Sequence, residues 1–376
     1  MRHHLSLARG RHASWLVLLA MSLVLAACGT GTDGTTAQED GDSTAAEEGT
    51  GSEDTDDAAA GAEDDTDSAA AAAEEGAAPP LVVVTTTILG DIVENVAGGE
   101  ATVEVLMPLG ADPHAFEASA QQAALLRDAD LVVANGLGLE EGLLDAIAAA
   151  EQEGVRVLEV GPALDPMPFE GPDAHGDEDD HAHGDEDDHA EEGEDAHAHE
   201  GGLDAHVWMD PVRMAEAVDL IATAFTEVAD GDFLARGASY RAEVEALHED
   251  IEAMIATVPE ADRKLVTNHF AYGYYAERYG LELLGTVIPA ATTEAETSAA
   301  GFAELIEIVE GAEVSAIFAS TTESTTLAEA IAGEVGRDVQ VLSLYTGSLG
   351  EDGSGAETYI GMMMTSTERI VEGLTA

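Results

Sequence analysis

One run decides the architecture of this chain of 376 residues: F-L-A-R-G-A-S-Y-R-A-E-V-E-A-L-H-E-D-I-E-A-M-I, residues 233–255. The run is amphipathic at helical spacing, and Gly237 is its only glycine or proline, so it predicts one long helix. On both sides, short apolar segments alternate with helical segments, which predicts parallel sheets covered by helices. We therefore expect an α/β protein of two lobes, joined rigidly by this helix and separated by a cleft.

The sequence predicts four strands before the long helix and four after it. The predicted strands are Leu81–Thr87, Thr102–Met107, Leu131–Ala134, Val155–Val160, Lys264–Asn268, Leu281–Val287, Val314–Ala319 and Val339–Leu344. The helical segments are 89–97, 120–128, 140–151, 212–228, 233–255, 270–279, 298–310, 325–335 and 357–373. From these patterns we expect an N-terminal lobe over 81–231, a connecting helix within 232–258 and a C-terminal lobe over 259–376.

Composition and charge exclude one class of partner. The net charge is −64, whereas a nucleic-acid binder needs a basic face. Apolar residues make up 45% of the chain, enough for a sizeable core. We interpret the acidic excess as a solvated surface adapted to salt, and the alternative is a surface that recruits cations.

The N-terminus has the pattern of a secretion signal. Basic residues precede an apolar run from Trp15 to Ala27, which ends in L-A-A-C and is short for a membrane span. Cys28, the only cysteine, stands where a bacterial lipoprotein is cleaved and acylated. We expect a signal peptide over 1–27 and a lipid anchor at Cys28, which would hold the protein on the outer face of the cytoplasmic membrane. The alternative is an uncleaved anchor or a cysteine that stands there by chance.

Two acidic segments have almost nothing to bury. Residues 28–80 contain no aromatic residue and predict a disordered tether. Residues 170–204 form a His-rich acidic loop with a tandem repeat of A-H-G-D-E-D-D-H. Its histidines are His175, His181, His183, His189, His197 and His199. We interpret the loop as a weak auxiliary metal collector, and the alternative is a solvated insertion.

Three other histidines stand at strand ends or turns. His114 follows the second predicted strand, His206 lies in L-D-A-H-V-W-M-D-P at 203–211, and His269 follows the fifth predicted strand. Ligands of open parallel sheets bind beyond the carboxyl ends of the strands, and three neutral imidazoles suit Zn²⁺. We therefore expect these three side chains to form a metal site in the cleft between the lobes. His248 in the long helix is interpreted as a surface residue without a role.

Four sequence blocks carry a resemblance to a known family. They are G-A-D-P-H at 110–114, V-V-A-N-G-L-G-L-E at 132–140, D-A-H-V-W-M-D-P at 204–211 and T-N-H-F-A-Y-G-Y-Y-A-E-R-Y-G-L at 267–281. With them the chain resembles the solute-binding lipoproteins of bacterial zinc and manganese ABC importers over nearly all of 81–376. The resemblance implies two lobes bridged by a helix, and metal binding by His114, His206 and His269. It also implies a permease with its ATPase as partner. We expect a monomer.

One position departs from the family pattern. Many members have an aspartate as fourth ligand in a segment resembling Y-T-D-S-L-G, whereas this chain has Gly347 at that place in Y-T-G-S-L-G. The fourth ligand is then water or one of three carboxylates, Glu117, Glu294 or Glu323. Three imidazoles without an evident carboxylate favour zinc over manganese, which prefers oxygen ligands. If water is the fourth ligand, Gly347→Asp could restore a carboxylate ligand.

The function expected from these features is capture of Zn²⁺ outside the cell and delivery to a membrane permease. The alternatives are a manganese importer component, a surface zinc buffer or adhesin, and a zinc hydrolase. The hydrolase is disfavoured because the sequence has no H-E-x-x-H or comparable general-base motif. We therefore expect a binding protein that is not an enzyme.

Overall fold

A computed structural model describes residues 78–169, 202–290, 292–295 and 297–376. The predicted signal peptide, Cys28, nearly all of the predicted tether and the six histidines of the His-rich loop lie outside these residues. The described strands are β1 Leu81–Val84, β2 Thr102–Val105, β3 Leu131–Ala134, β4 Arg156–Glu159, β5 Lys264–Thr267, β6 Glu282–Thr286, β7 Ala316–Ser320 and β8 Gln340–Leu344. The described helices are α1 Thr87–Ala97, α2 Ala120–Asp128, α3 Leu144–Gln152, α4 Pro211–Val228, α5 Phe233–Ile255, α6 Gly273–Tyr279, α7 Ala299–Gly311, α8 Thr326–Glu334 and α9 Tyr359–Thr375.

The strands form two parallel sheets with the same order. The first sheet is β2-β1-β3-β4 and the second is β6-β5-β7-β8. Their central strands are apolar and almost fully buried, as in L-V-V-V of β1 and A-I-F-A-S of β7. The strand order reverses between β1 and β3 and between β5 and β7, the two places where such sheets bind ligands. The prediction of two parallel α/β lobes is confirmed.

The long helix α5 has the bounds predicted from its pattern. Its buried residues recur every three or four positions, and they are Phe233, Gly237, Tyr240, Val244, Leu247, Ile251 and Ile255. This face packs against α4, against α1 of the first lobe and against α9 of the second. One hydrophobic cluster includes Val84 and Phe225 of the first lobe together with Phe318 and Tyr359 of the second. The two lobes therefore share a continuous core along α5.

Several elements differ in their bounds from the predictions. β1 ends at Val84, since the Thr86 side chain accepts a hydrogen bond from Leu89 N and caps α1. The segment predicted as helix from residue 140 begins with a 3₁₀ turn, and α3 starts at Leu144. α6 starts at Gly273, because the backbone at His269 accepts from the Thr267 hydroxyl at 2.9 Å and leaves the helical path. As a result, polar residues follow directly after β1 and β5, including Thr85 after β1 and His269 near the end of β5.

The prediction that His248 is a surface residue is wrong in one respect. The side chain is half-buried on α5, and its Nδ1 lies 3.2 Å from the hydroxyl of Tyr279 on α6. The two rings are tilted against each other with centroids 5.6 Å apart. His248 therefore contributes to the contact between α5 and the second lobe.

Candidate metal centre

The structure brings the three predicted histidines together. His114 follows β2, His269 follows β5, and His206 precedes a 3₁₀ turn, Val207–Met209, that leads into α4. The Nε2 atom of His206 lies 3.3 Å from Nε2 of His114 and 3.3 Å from Nε2 of His269. All three side chains are buried, with 5%, 1% and 4% exposure for His114, His206 and His269.

The spacing of these nitrogen atoms suits one small divalent ion. One ligand atom from each histidine lies within 4.8 Å of the others. Ligands of a tetrahedral zinc ion, with Zn–N distances of about 2.0–2.1 Å, stand about 3.3–3.4 Å apart. The two measured Nε2 separations match that value. Three imidazoles converging in a buried pocket could therefore hold one ion with a further position left for another ligand.

The same short motif, D-x-H, positions two of the three histidines. The carboxylate of Asp112 accepts from the backbone N–H of His114, and that of Asp204 accepts from the backbone N–H of His206, both at 3.0 Å. Such Asx turns fix the chain direction locally. Asp204 Oδ1 also lies 2.7 Å from Nδ1 of His206, whereas Asp112 Oδ2 accepts from the hydroxyl of Thr293 at 2.6 Å. Asp112 thus links its histidine to the second lobe.

A carboxylate also stands behind His269. Its Nδ1 lies 3.0 Å from Oε1 of Glu323, whose side chain is 10% exposed. The other oxygen of Glu323 accepts a hydrogen bond from the side-chain amide of Asn268. The loop after β7 therefore meets the loop after β5 at the place where the strand order reverses.

The segment around His206 is bound to both lobes. From the first lobe, the Asn135 side chain donates to the Ala205 carbonyl at 2.9 Å. From the second, the Tyr274 hydroxyl donates to the Asp204 carbonyl at 2.7 Å, and Trp208 Nε1 donates to the Thr346 carbonyl at 2.8 Å. Burial raises the pKa of Tyr274 to about 12, so its hydroxyl keeps the proton that it donates. His206 is thereby held at the junction of the lobes.

One residue that sequence reasoning left without a role supports this frame. Glu140 is fully buried, and its carboxylate accepts from the Thr85 hydroxyl and from the backbone amides of Asn135 and Gly136, at 2.7–3.0 Å. Burial raises the pKa of the Glu140 carboxyl, although its hydrogen bonds act in the opposite direction. The sequence carried one signal for this role: Glu140 ends the block V-V-A-N-G-L-G-L-E, close to a buried strand. A charged group that is buried there requires hydrogen-bond partners.

The three carboxylates predicted as fourth ligands lie in different surroundings. Glu117 and Glu294 are exposed, and Glu323 faces Nδ1 of His269. Among the described residues, the cluster that could hold an ion consists of the three histidines alone. The fourth ligand therefore stays a prediction.

The expectation for Gly347→Asp has to be corrected for packing. The backbone φ of Gly347 is outside the left-handed region, so strain of that kind is not the obstacle. A Cβ added at this position would lie 2.8 Å from Cδ and 3.2 Å from Cγ of Pro113, which precedes His114. The Ser348 hydroxyl also accepts from Gly110 N at 2.8 Å. A larger residue at 347 would therefore displace the chain that carries His114.

The two ends of the His-rich loop lie side by side. Phe169 N donates to the Gly202 carbonyl at 2.8 Å, and Asp204 N donates to the Met167 carbonyl at 2.8 Å. The loop therefore begins and ends at one short antiparallel contact. Its last contact residue, Gly202, lies two residues before Asp204.

Comparison with known proteins identifies the family. The family model described as zinc-uptake complex component A, periplasmic, matches residues 82–373, and the chain belongs to this family. The manganese-binding lipoprotein MntA of Halalkalibacterium halodurans is 30% identical over 292 residues, covering 77% of this chain and 86% of that protein. The zinc-binding lipoprotein AdcA of Streptococcus pneumoniae is 29% identical over 73% of this chain, which spans 51% of that protein. The resemblance inferred from the four sequence blocks is confirmed.

The solved structures agree with the fold. The periplasmic zinc-binding protein TroA from Treponema pallidum superposes with a TM-score of 0.66 and 27% sequence identity, covering 79% of this chain and 99% of that one. Across the part of the chain that the structure describes, no helix is both long and apolar enough to cross a membrane.

Proposed function

We propose that this protein captures one Zn²⁺ ion outside the cytoplasm with His114, His206 and His269, and delivers it to the permease of an ABC importer. The observation that carries the proposal is the convergence of three buried Nε2 atoms at separations suited to a zinc ion. The ion is cargo, so the protein must bind it tightly and also release it. Membership of the zinc-uptake family supports the same role.

Manganese is the second candidate cargo, because a relative at 30% identity is a manganese-binding lipoprotein. Zinc is favoured by the ligand set, since imidazole nitrogen suits zinc and manganese prefers oxygen ligands. Within the described residues the cluster has no carboxylate, and Gly347 stands where many members of the family have an aspartate.

Metal analysis of the purified protein, followed by competition between Zn²⁺ and Mn²⁺, tests the choice of cargo. The expected result is one tightly bound zinc ion that excess manganese does not displace. Preferential binding of manganese at the same stoichiometry would support the second candidate. A protein in which neither ion binds tightly would contradict the proposal.

The placement of the protein in the cell is a further part of the proposal. Residues 1–27 would direct export, Cys28 would carry the lipid, and residues 28–80 would tether the monomeric binding unit to the outer face of the cytoplasmic membrane. The unit would comprise a lobe over 81–231, a connecting helix within 232–258 and a lobe over 259–376. Cys28→Ala should release the exported protein into the soluble fraction, and retention of that variant on the membrane would argue against the anchor.

The His-rich loop is proposed as an auxiliary collector of zinc beside the site. Its low-complexity sequence offers many weak ligands and little apolar surface.

We propose no reaction at the three-histidine site. An assay for ester hydrolysis or carbon dioxide hydration with the zinc-loaded protein is expected to give no turnover above free zinc, and turnover that depends on His206 would contradict this view.

A further inference from the structure

Glu323 differs in its surroundings from the other two predicted carboxylate ligands. It lies in the loop after β7, its side chain is 10% exposed, and its Oε1 is 3.0 Å from Nδ1 of His269. Its Oε2 accepts from the side-chain amide of Asn268, the residue before that histidine. One carboxylate therefore contacts two consecutive residues at the carboxyl end of β5.

The contact is on the side of the imidazole that faces away from the cluster. His269 directs Nε2 at the other histidines, with 3.3 Å to Nε2 of His206, while Glu323 meets Nδ1. Histidines that bind metals commonly donate the second ring N–H to a carboxylate, which fixes both the ring orientation and the tautomer. Glu323 has the position of such a supporting group and not that of a ligand.

His206 has closer support of this kind. Its contact with Asp204 is a hydrogen bond, whereas Oε1 of Glu323 lies near Nδ1 of His269 without a hydrogen-bond partner among the described residues. Asp204 Oδ1 lies 2.7 Å from His206 Nδ1, and both side chains are almost fully buried. Three neutral imidazoles bring no charge to a dication, and a buried charge without compensation is costly. Asp204 and Glu323 together would supply two negative charges beside the site, equal in size to the charge of one divalent ion.

We propose that Glu323 is a positioning residue of the metal site: it fixes the ring of His269 with Nε2 towards the ion and contributes compensating charge, without ligating the ion. The inference rests on the proposed function and goes beyond it, because it assigns to Glu323 a role other than fourth ligand. Glu323→Ala should lower zinc affinity about 10- to 100-fold, the usual cost of losing such support.

A polarity swap separates support by hydrogen bonding from other roles. In Glu323→Gln the side-chain oxygen can still face His269, but the new NH₂ group points at the NH₂ group of Asn268, so two donors oppose each other. Adding Asn268→Asp replaces one of these donors with an acceptor and restores the net charge. The single variant should therefore bind zinc more weakly, and the double variant should recover most of the affinity.

The measurements are zinc affinity by competition with a chromophoric chelator, and the visible absorption of the Co²⁺-loaded protein, which reports the number and geometry of ligands. Glu323→Ala should keep the absorption spectrum of the wild type while losing affinity. Glu307→Gln, an exposed carboxylate on α7, is the control and should change neither.

Three results would overturn the inference: unchanged affinity in Glu323→Ala, a Co²⁺ spectrum that signals one ligand fewer, or no recovery in the double variant. A wild-type protein that binds no zinc at the three histidines would instead contradict the proposed function. The two failures are therefore distinguishable.

Discussion

In the first lobe the carboxylate of Glu140, which follows β3, accepts hydrogen bonds from Thr85, Asn135 and Gly136 and is fully buried. In the second lobe the carboxylate of Glu323, which follows β7, faces the imidazole of His269. Both residues stand where the strand order of their sheet reverses, and the two sheets have the same order. The first carboxylate accepts hydrogen bonds from the backbone, and the second lies 3.0 Å from a candidate metal ligand.

The comparison teaches that one scaffold serves two purposes. A buried acid that binds backbone amides belongs to the framework, so its loss should reduce stability. An acid that orients a histidine at the cleft belongs to the site, so its loss should reduce affinity. The two lobes share a hydrophobic core along α5.

The largest effect is expected for Glu140→Ala. Three buried donors lose their acceptor, and each unsatisfied donor costs about 1–3 kcal/mol. Single substitutions rarely cost more than about 5 kcal/mol, so the free energy of unfolding should fall by about 3–5 kcal/mol. Glu323→Ala in the metal-free protein should cost below about 1 kcal/mol, because water at the cleft can replace the lost contacts. Urea unfolding of both variants without metal provides the test. Equal losses of stability would remove the distinction between the two carboxylates.

A second effect concerns the contact between the lobes. Asp91 on α1 accepts from the Tyr240 hydroxyl of α5 at 2.9 Å and from Tyr359 N of α9 at 3.0 Å, and burial raises the pKa of Asp91. Because the folded pKa lies above the unfolded value, the stability contributed by Asp91 is greatest below the unfolded pKa and is lost as pH rises through the folded pKa. Tyr240→Phe removes a donor to the carboxylate and therefore enlarges that loss.

Tyr240→Phe should cost about 1.5–3 kcal/mol at pH 7, where Asp91 is ionised, and less as pH falls below the raised pKa. Unfolding free energies at several pH values between 7 and 4 give the comparison. Tyr345→Phe, a half-buried tyrosine whose ring lies beside Arg369, is the control and should cost little at any pH. A cost of Tyr240→Phe that is the same at every pH would show that the charge of Asp91 does not matter to this contact.

A third, similar effect tests how closely the second lobe approaches His114. Gly347→Ala places a Cβ within 2.8 Å of Pro113 and should cost about 1–3 kcal/mol as well as zinc affinity. Gly347→Asp should behave in the same way and gain no preference for manganese. The control is Gly333→Ala on α8, where a Cβ meets open space and a gain of about 0.4–1 kcal/mol is expected. A stable Gly347→Asp protein with a raised Mn²⁺/Zn²⁺ ratio would favour the fourth-ligand alternative.

The smallest effect on the tight site is expected from removing the His-rich loop. Replacing residues 171–200 by a short Gly-Ser link is feasible, because Phe169 N donates to the Gly202 carbonyl at 2.8 Å. Calorimetric titration should lose only weaker zinc equivalents and keep the strongest step. Disappearance of the strongest step would indicate that the loop supplies the fourth ligand.

The fold was largely predictable because its signals are local. The apolar spacing in 233–255 gave the bounds of α5, and Leu131–Ala134 gave those of β3. Ser119 caps α2, and Gln122 completes the capping box, a signal that lies within four consecutive residues. Strand ends were the weak point. The Thr86 side chain accepts from Leu89 N and the Thr267 hydroxyl donates to the His269 carbonyl, and β1 and β5 end earlier than hydropathy suggests.

The site was predictable only in part. Strand-end placement selected His114 and His269, because parallel strands bring their carboxyl ends together, and the turn L-D-A-H-V-W-M-D-P selected His206. Contacts between residues far apart in the sequence could not be predicted, because they depend on tertiary packing. Examples are the contact of Pro113 with Gly347 and the contact of Glu323 with Nδ1 of His269. Glu323 was therefore predicted as a possible ligand, and we propose instead that it supports His269.

The central claim is that His114, His206 and His269 together hold one zinc ion. The unfolded chain holds zinc poorly compared with the folded one, so zinc at about 1,000 times its Kd should stabilise the wild type by at most about 4 kcal/mol and raise Tm accordingly. Thermal unfolding with and without zinc should show that each histidine-to-alanine change at these positions removes most of the rise. His248→Ala, outside the cluster, should keep it. A zinc-induced rise that survives in His206→Ala would contradict the claim.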